Sequence, residues 1–227
     1  MSLTLTPLLN FPLIRQDDNL ADILVKSLQE TQIELHDNDI IVLAQKADKD
    51  PRVMELMLQE SNEVLRIRVG TIIVEHKLGF VCANAGIDHS NVMSGGDTED
   101  YVLLLPEDPD RSARNIREKI KQTTGKTIGV MIIDSHGRAW RNGTVGICIG
   151  LSGLPAVVDE RGWKDLFGYA LKITIVGVAD ELAAAASLVM GQAAEGIPTV
   201  HVRGFPYPLG EGTLKELIRP KEQDMFR

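Results

Sequence analysis

The chain has 227 residues and a mass of 24.9 kDa, enough for one large domain or two small ones with a sizeable core. Hydrophobic residues make up 44%, charged residues 25% and aromatic residues 4%, a composition that excludes disordered and fibrous classes. The formal net charge of -8 excludes the basic footprint of a general nucleic-acid binder, and a polyanionic small ligand would need local basic groups, backbone amides or bound cations to hold it.

The first nine residues alternate Leu with Thr, carry no basic targeting region and read as a strand around Leu3 to Leu9. A helix from Asn19 follows, with Leu20, Ile23, Leu24 and Leu28 on one face at helical spacing. Asp39 to Ala44 (DIIVLA) reads as a buried strand. Asp50-Pro51 and Asp108-Pro109 mark two helix starts, Asp as cap and Pro in the first turn. The second helix should run to Gly125 with Ala113, Ile116 and Ile120 facing inward. Between the two helices, Val69 to Val74 and Leu78 to Cys82 read as paired strands.

Thr127 to Ile133 and Thr144 to Leu151 read as antiparallel strands flanking a polar turn, Asp134-Ser-His-Gly-Arg138. Lys172 to Val178 reads as a strand, Asp180 to Met190 as a helix and Thr199 to Arg203 as a last strand. Neither an internal repeat nor a linker divides the chain, so a single α+β unit is expected. Cys82 and Cys148 lie in apolar runs and read as buried thiols in a reducing compartment. The apolar stretch Leu182 to Met190 is too short to span a bilayer. A cytoplasmic location is expected, where the Asn142-Gly-Thr sequon stays unused.

The familiar phosphate loops, nucleophile elbow, zinc helix and CxxC pair are all absent from the sequence. Gly143, Gly146, Gly150 and Gly153 read as strand and turn glycines rather than a phosphate cradle. Three polar loops remain as candidates. Asn84 to Asn91 is either an Asx-type turn or a ligand site, with Asp88 its carboxylate. Asp134-Ser135 is either a turn or cap, or a pair of hard oxygen ligands suited to Mg²⁺ or Mn²⁺. Gly191 to Pro198 reads most simply as a helix cap and connector. His89 and His136 are expected as exposed loop histidines, Trp140 and Trp163 as packing residues, and Arg138 and Arg141 as partners of phosphate or of carboxylates.

The words NAGIDHSNV, LPEDPDRSA, DSHGRAWRNGTVG, RGWKDLFG and ADELAAAASLVMGQAAEGIPTVHVRG, in this order, resemble the coenzyme F420-0:L-glutamate ligase family, also called F420-0:gamma-glutamyl ligase. The likeness runs from FPLI near the start to VRG near the end. It implies an α+β fold of mixed, largely antiparallel sheets with flanking helices, in an intertwined homodimer. It also implies a GTP-dependent ligase that joins L-glutamate to the deazaflavin coenzyme F420-0, with further gamma-linked glutamates as an extension, using two divalent cations (Mg²⁺ or Mn²⁺) and K⁺.

Position by position, the resemblance makes Asp88, Asp134, Ser135 and Gln192 metal ligands. It places Phe11, Pro12, Leu13, Ile14, Gln45, Lys46 and Asn91 at the GTP site, with Met190, Gly191, Gln192, Ala193, Ala194, Glu195, Gly196 and Ile197. The implied chemistry is phosphoryl transfer to a carboxylate, then attack of the glutamate amine on the acyl phosphate; no general base is assigned. A catalytically silent nucleotide- or deazaflavin-binding homologue and a metal-dependent phosphate-ester hydrolase are the alternatives.

One departure matters: the family's Ser-Lys-Ala-Glu-Gly segment and the helix after it are missing between Lys46 and Ala47. Either it is deleted, or the native chain carries it as a flexible lid over the nucleotide site; the second is expected. The flavin-binding reductase domain fused to some relatives is not expected after the ligase pattern.

Overall fold

The structure, a computed structural model, describes residues 3–9, 11–12, 19–44, 51–87 and 102–226. Ten strands and five α-helices are assigned among these residues, and the α+β expectation with mixed and antiparallel sheets holds. The main sheet has five strands in the order β1 (Thr4–Pro7), β10 (Thr199–Arg203), β2 (Ile40–Ala44), β6 (Gly129–Arg138) and β7 (Arg141–Ser152). Only β2 and β6 run parallel. A second sheet is formed by β3 (Ser61–Arg68), β4 (Thr71–His76) and β5 (Val81–Ala83), and a two-stranded ribbon by β8 (Val158–Asp159) and β9 (Ile175–Val176).

Both faces of the main sheet are buried, so its central strands read as continuous apolar runs. Along β6, Val130 and Ile132 enter one core with α1 (Leu20–Glu30), α2 (Pro51–Gln59), α3 (Pro109–Thr124) and the second sheet. Met131 and Ile133 enter the other, against α4 (Val178–Met190). This is the period-two alternation of a pleated strand.

The expected caps are present. Asn19 accepts the N–H of Asp22 at the start of α1, and Asp108 that of Arg111 at the start of α3. Gly125 closes α3 in the left-handed region (φ 75°) with Ala113 and Ile120 fully buried. Pro51 opens α2, but Asp50 lies outside the described residues.

Glycines in β7 decide how closely the helices approach. A Cβ on Gly146 would lie 2.4 Å from Ser187 Cβ and 2.8 Å from Ala183 O, and one on Gly150 would lie 2.5 Å from Pro109. Only glycine lets α4 and the start of α3 pack on the sheet here, so the strand reading of these glycines holds. Asp110 fixes the same corner, accepting the N–H groups of Leu151 in β7 and of Leu214 in α5 (Leu214–Leu217).

Several expected boundaries are corrected. The strand Ser61–Arg68 is not foreseen, because most of its residues are exposed and it lacks a clean apolar alternation. Val69 and Gly70 form its turn, so the next strand starts at Thr71 rather than at Val69. The strand expected over Lys172 to Val178 contracts to Ile175–Val176, and Val178 already belongs to α4. Trp140 is 87% and Trp163 52% exposed, so neither is a packing residue of this chain. Cys82 and Cys148 are buried and free, as expected. Among the described residues no helix is long and apolar enough to cross a membrane.

Candidate functional site at one end of the main sheet

The register of the main sheet brings Asp134, Ser135 and the described starts of several candidate segments to one end. Strand β2 ends at Ala44, paired with Ile133, so β2 and β6 direct their carboxyl ends the same way, where sites of parallel pairs form. Antiparallel β10 begins at that end, Thr199 opposite Leu43, and so receives the connector from Gly191. Antiparallel β1 finishes there, Pro7 opposite Val200, and Leu8 N–H donates to Thr199 O at 3.0 Å. Phe11 packs on the first core and Pro12 is exposed. Leu13, Ile14, Gln45, Lys46, Asp88, His89 and Asn91 lie outside the described residues.

The polar turn expected at Asp134 to Arg138 is instead part of β6. Asp134, Ser135 and His136 pair with Ile147, Gly146 and Val145, and the hairpin turns at Ala139-Trp140. Asp134 is therefore a strand residue and not a loop residue. A β-hairpin needs only about two turn residues, so the polar stretch is absorbed by the ladder. Arg138 donates to the carbonyl of Asn142 at 3.3 Å.

Because the pleat continues, Asp134 and Ser135 point to opposite faces. Asp134 shares its face with His136, whose Nε2–H donates to Asp134 Oδ2 at 3.0 Å. His136 is only 6% exposed, which corrects the expectation of an exposed loop histidine. Its ring packs on Phe80 at 5.1 Å between centroids, and Phe80 stacks on His76 at 5.4 Å. His136 Nδ1 is buried and finds no hydrogen-bond partner among the described residues. Burial, with the charge of Asp134 next, pushes the Cys82 thiol up to about 12, so that thiol stays protonated and inert.

On the other face, Ser135 Oγ donates to Gln192 Oε1 at 2.8 Å, and Gln192 Nε2 donates to Ser187 Oγ at 3.0 Å. The approach of α4 allowed by Gly146 makes this chain of contacts possible. Gly191 caps α4 with φ 75°, and the connector expected there begins at this residue. Met190 is buried, Gly191 and Ile197 are half-buried, and Gln192, Ala193, Ala194, Glu195 and Gly196 are exposed. Glu195 folds back to accept the N–H of Ala193 at 2.7 Å.

The Asn84 loop is a turn in its described part. Asn84 and Ala85 both have φ 53°, and Asn84 Oδ1 accepts the N–H of Ile72 at 3.1 Å. Ile87, the last described residue of this loop, is buried in the first core.

The structure thus brings Ser135 and Gln192 into contact and holds Asp134 on the opposite face with His136. Among the described residues no group of three or more His, Cys, Asp or Glu side chains forms a ready metal cluster. The described oxygen donors, a carboxylate, a hydroxyl and an amide carbonyl, suit hard cations in two separate places. Sequence reasoning missed the partnership of His136 with Asp134. No sequence signal marked it, since the apolar run before Asp134 gives way to a polar stretch that resembles a turn.

The model of the family described as F420-0:gamma-glutamyl ligase matches residues 8–47 and 42–204. The chain belongs to this family. It is 48% identical over 222 residues to the coenzyme F420:L-glutamate ligase of Methanococcus maripaludis strain C6, covering 96% of this chain and 87% of that protein. To the protein of the same name from Methanocaldococcus jannaschii it is 47% identical over 212 residues, 92% of this chain and 83% of that one. To that of Methanothermobacter thermautotrophicus it is 40% identical over 256 positions, covering both chains in full.

Proposed function

We propose that the protein is a GTP-dependent ligase that forms an amide between L-glutamate and coenzyme F420-0, releasing GDP and phosphate. The observation that carries this reading is the sheet register, which gathers Asp134, Ser135, Gln192 and the starts of the other candidate segments at one end of the main sheet, in a chain whose relatives are named coenzyme F420:L-glutamate ligase.

Asp134 with Asp88, and Ser135 with Gln192, are the residues that would hold two divalent cations, Mg²⁺ or Mn²⁺; K⁺ is a further expected ion. Bound there, the cations would neutralise charge on the transferring phosphoryl group. The chain's own part is to orient: His136 holds one oxygen of Asp134, and Ser187 fixes the amide of Gln192. The exposed connector Gln192 to Gly196 offers backbone groups to the nucleotide. The terminal carboxylate of the acceptor takes the phosphoryl group, the glutamate amine attacks that acyl carbon, and the C–O bond to phosphate breaks as the amide forms.

The protein is proposed to act as a cytoplasmic homodimer. Supporting the dimer is an arm over residues 160–174, between β8 and β9, whose Leu166 and Phe167 are 98% and 95% exposed. Monomers rarely present such apolar tips to water. The two buried free thiols suit a reducing compartment.

The segment expected between Lys46 and Ala47 is proposed to be present in the native chain. The family match falls into two stretches that meet at residues 42–47. An intact mass of 24.9 kDa for the protein from its native source would refute its presence.

The deciding assay is GDP release from GTP with Mg²⁺ or Mn²⁺. Release that requires both glutamate and the deazaflavin acceptor is expected. Release without glutamate would mark a hydrolase, and none at all a silent binding homologue.

A further inference from the structure

A cavity of about 320 Å³ opens along the free edge of β7, at the small end of ligand pockets. Its walls are mostly apolar and include Phe80, Ile147 and Leu217. Three charged residues line it as well: Asp180 from the first turn of α4, Arg219 from the segment after α5, and Asp224, which already accepts the N–H of Phe226 and has a further interaction of its own. Asp180 accepts one hydrogen bond, from Cys148 N–H to Oδ1 at 2.9 Å, and its Oδ2 takes none among the described residues. Arg219 makes no ion pair among those residues.

We propose that this cavity binds the amino-acid substrate, with Asp180 receiving the α-ammonium and Arg219 a carboxylate. The choice of L-glutamate as that substrate rests on the ligase reading above. A ligand with carboxylates alone would be repelled by Asp180, and a simple amine would leave Arg219 unused. A zwitterion satisfies both Asp180 and Arg219 across one largely apolar cleft.

Burial pushes the Asp180 carboxyl upward in pKa, so it stands to gain from a cation brought against it. The position suits the chemistry, because the cavity shares walls with the candidate site. Phe80 lines the cavity and packs on His136, and Ile147 lines it and is the cross-strand neighbour of Asp134.

The test is equilibrium dialysis of labelled L-glutamate against the whole chain, with Mg²⁺ and a non-hydrolysable GTP analogue present. Asp180→Asn retains an acceptor oxygen for Cys148 N–H, and Arg219→Gln alters an exposed side chain, so both variants should melt with the parent. Each is expected to weaken glutamate binding tenfold or more with GTP affinity unchanged. Glutarate, which lacks the amine, should bind the parent at least tenfold more weakly than glutamate. Unchanged glutamate affinity in either variant, equal binding of glutarate, or no saturable glutamate binding by the parent overturns the proposal. Glutamate-dependent GDP release by the parent tests the ligase reading separately, so the two can fail independently.

Discussion

His136 reaches back two residues along β6 to donate its Nε2–H to Asp134 Oδ2 at 3.0 Å. Side chains two apart share a face of a strand, so the ladder itself sets this pair. If Asp134 holds a cation, His136 is a positioning residue that leaves one carboxylate oxygen free. Replacing His136 with Ala should lower Mn²⁺ affinity about 10- to 100-fold, the usual cost of losing an outer-shell partner. Mn²⁺ titration followed by electron paramagnetic resonance reads this directly. An unchanged dissociation constant would separate His136 from the metal.

Asp134→Ala should abolish glutamate-dependent GDP release, a loss of at least about 100-fold, since it removes the charged group of the described ligand set. The side chain is 12% exposed and bonds to buried His136, so Asp134→Asn, which keeps an acceptor oxygen for His136, is the companion that separates loss of charge from loss of fold. Turnover and thermal melting are measured on the same preparation. Activity retained within a few-fold would remove Asp134 from the cation site.

Gly146 tests whether helix approach shapes the Ser135–Gln192 contact. Its Cβ would overlap Ser187 Cβ at 2.4 Å and the Ala183 carbonyl at 2.8 Å, and overpacking of this kind costs about 1–3 kcal/mol. Gly137→Ala is the control, because nothing lies within 4 Å of its added Cβ and its φ is not positive. Urea melts should show Gly146→Ala clearly destabilised and Gly137→Ala near neutral. Equal midpoints would mean that α4 can shift without penalty.

These pairs mark where sequence reasoning worked and where it stopped. Caps at Asn19 and Asp108, the closing Gly125 and the apolar run of β2 were legible because their signals are local. The strand Ser61–Arg68 was not, since its stability comes from pairing with β4 rather than from its own pattern. Asp134 was legible as a candidate through chemistry and family likeness, but its place inside a strand was hidden by polar residues that resemble a turn. The opposite-face arrangement of Asp134 and Ser135 follows only once the register is known.

Far from the candidate site, at the other end of the sheet, Asp39 accepts from His201 Nε2, from Arg203 and from His36 N–H. Burial alone would push its carboxyl up, but the His201 hydrogen bond and then Arg203 and His36 outweigh it and hold the carboxyl well below the usual carboxylate range. A depressed folded-state pKa contributes stability that is full above the unfolded value of about 3.9 and is lost as pH falls below it. Unfolding free energy should therefore decline on acidification below about pH 5. Asp39→Asn should flatten that decline and cost about 3 kcal/mol or more at neutral pH, since it leaves buried His201 and the partly exposed Arg203 without their carboxylate. Urea melts across pH 3 to 7 compare the two chains, and parallel acid limbs would show that Asp39 does not carry the effect.

The arm between β8 and β9 is tied together by its own hydrogen bonds. Asp165 Oδ1 accepts the N–H groups of Phe167 and Tyr169, both at 2.9 Å, and Gly162 and Trp163 exchange backbone hydrogen bonds with Leu171. Its tip nevertheless holds Leu166 and Phe167 in water, and burying such side chains contributes roughly 1.5–3 kcal/mol each. In the proposed homodimer these two residues are expected to seat against the second copy. Leu166→Asp combined with Phe167→Asp should therefore shift the sedimenting species from dimer to monomer, while far-ultraviolet circular dichroism and the acid limb set by Asp39 stay unchanged. A dimer that persists in the double variant would assign the interface to another surface.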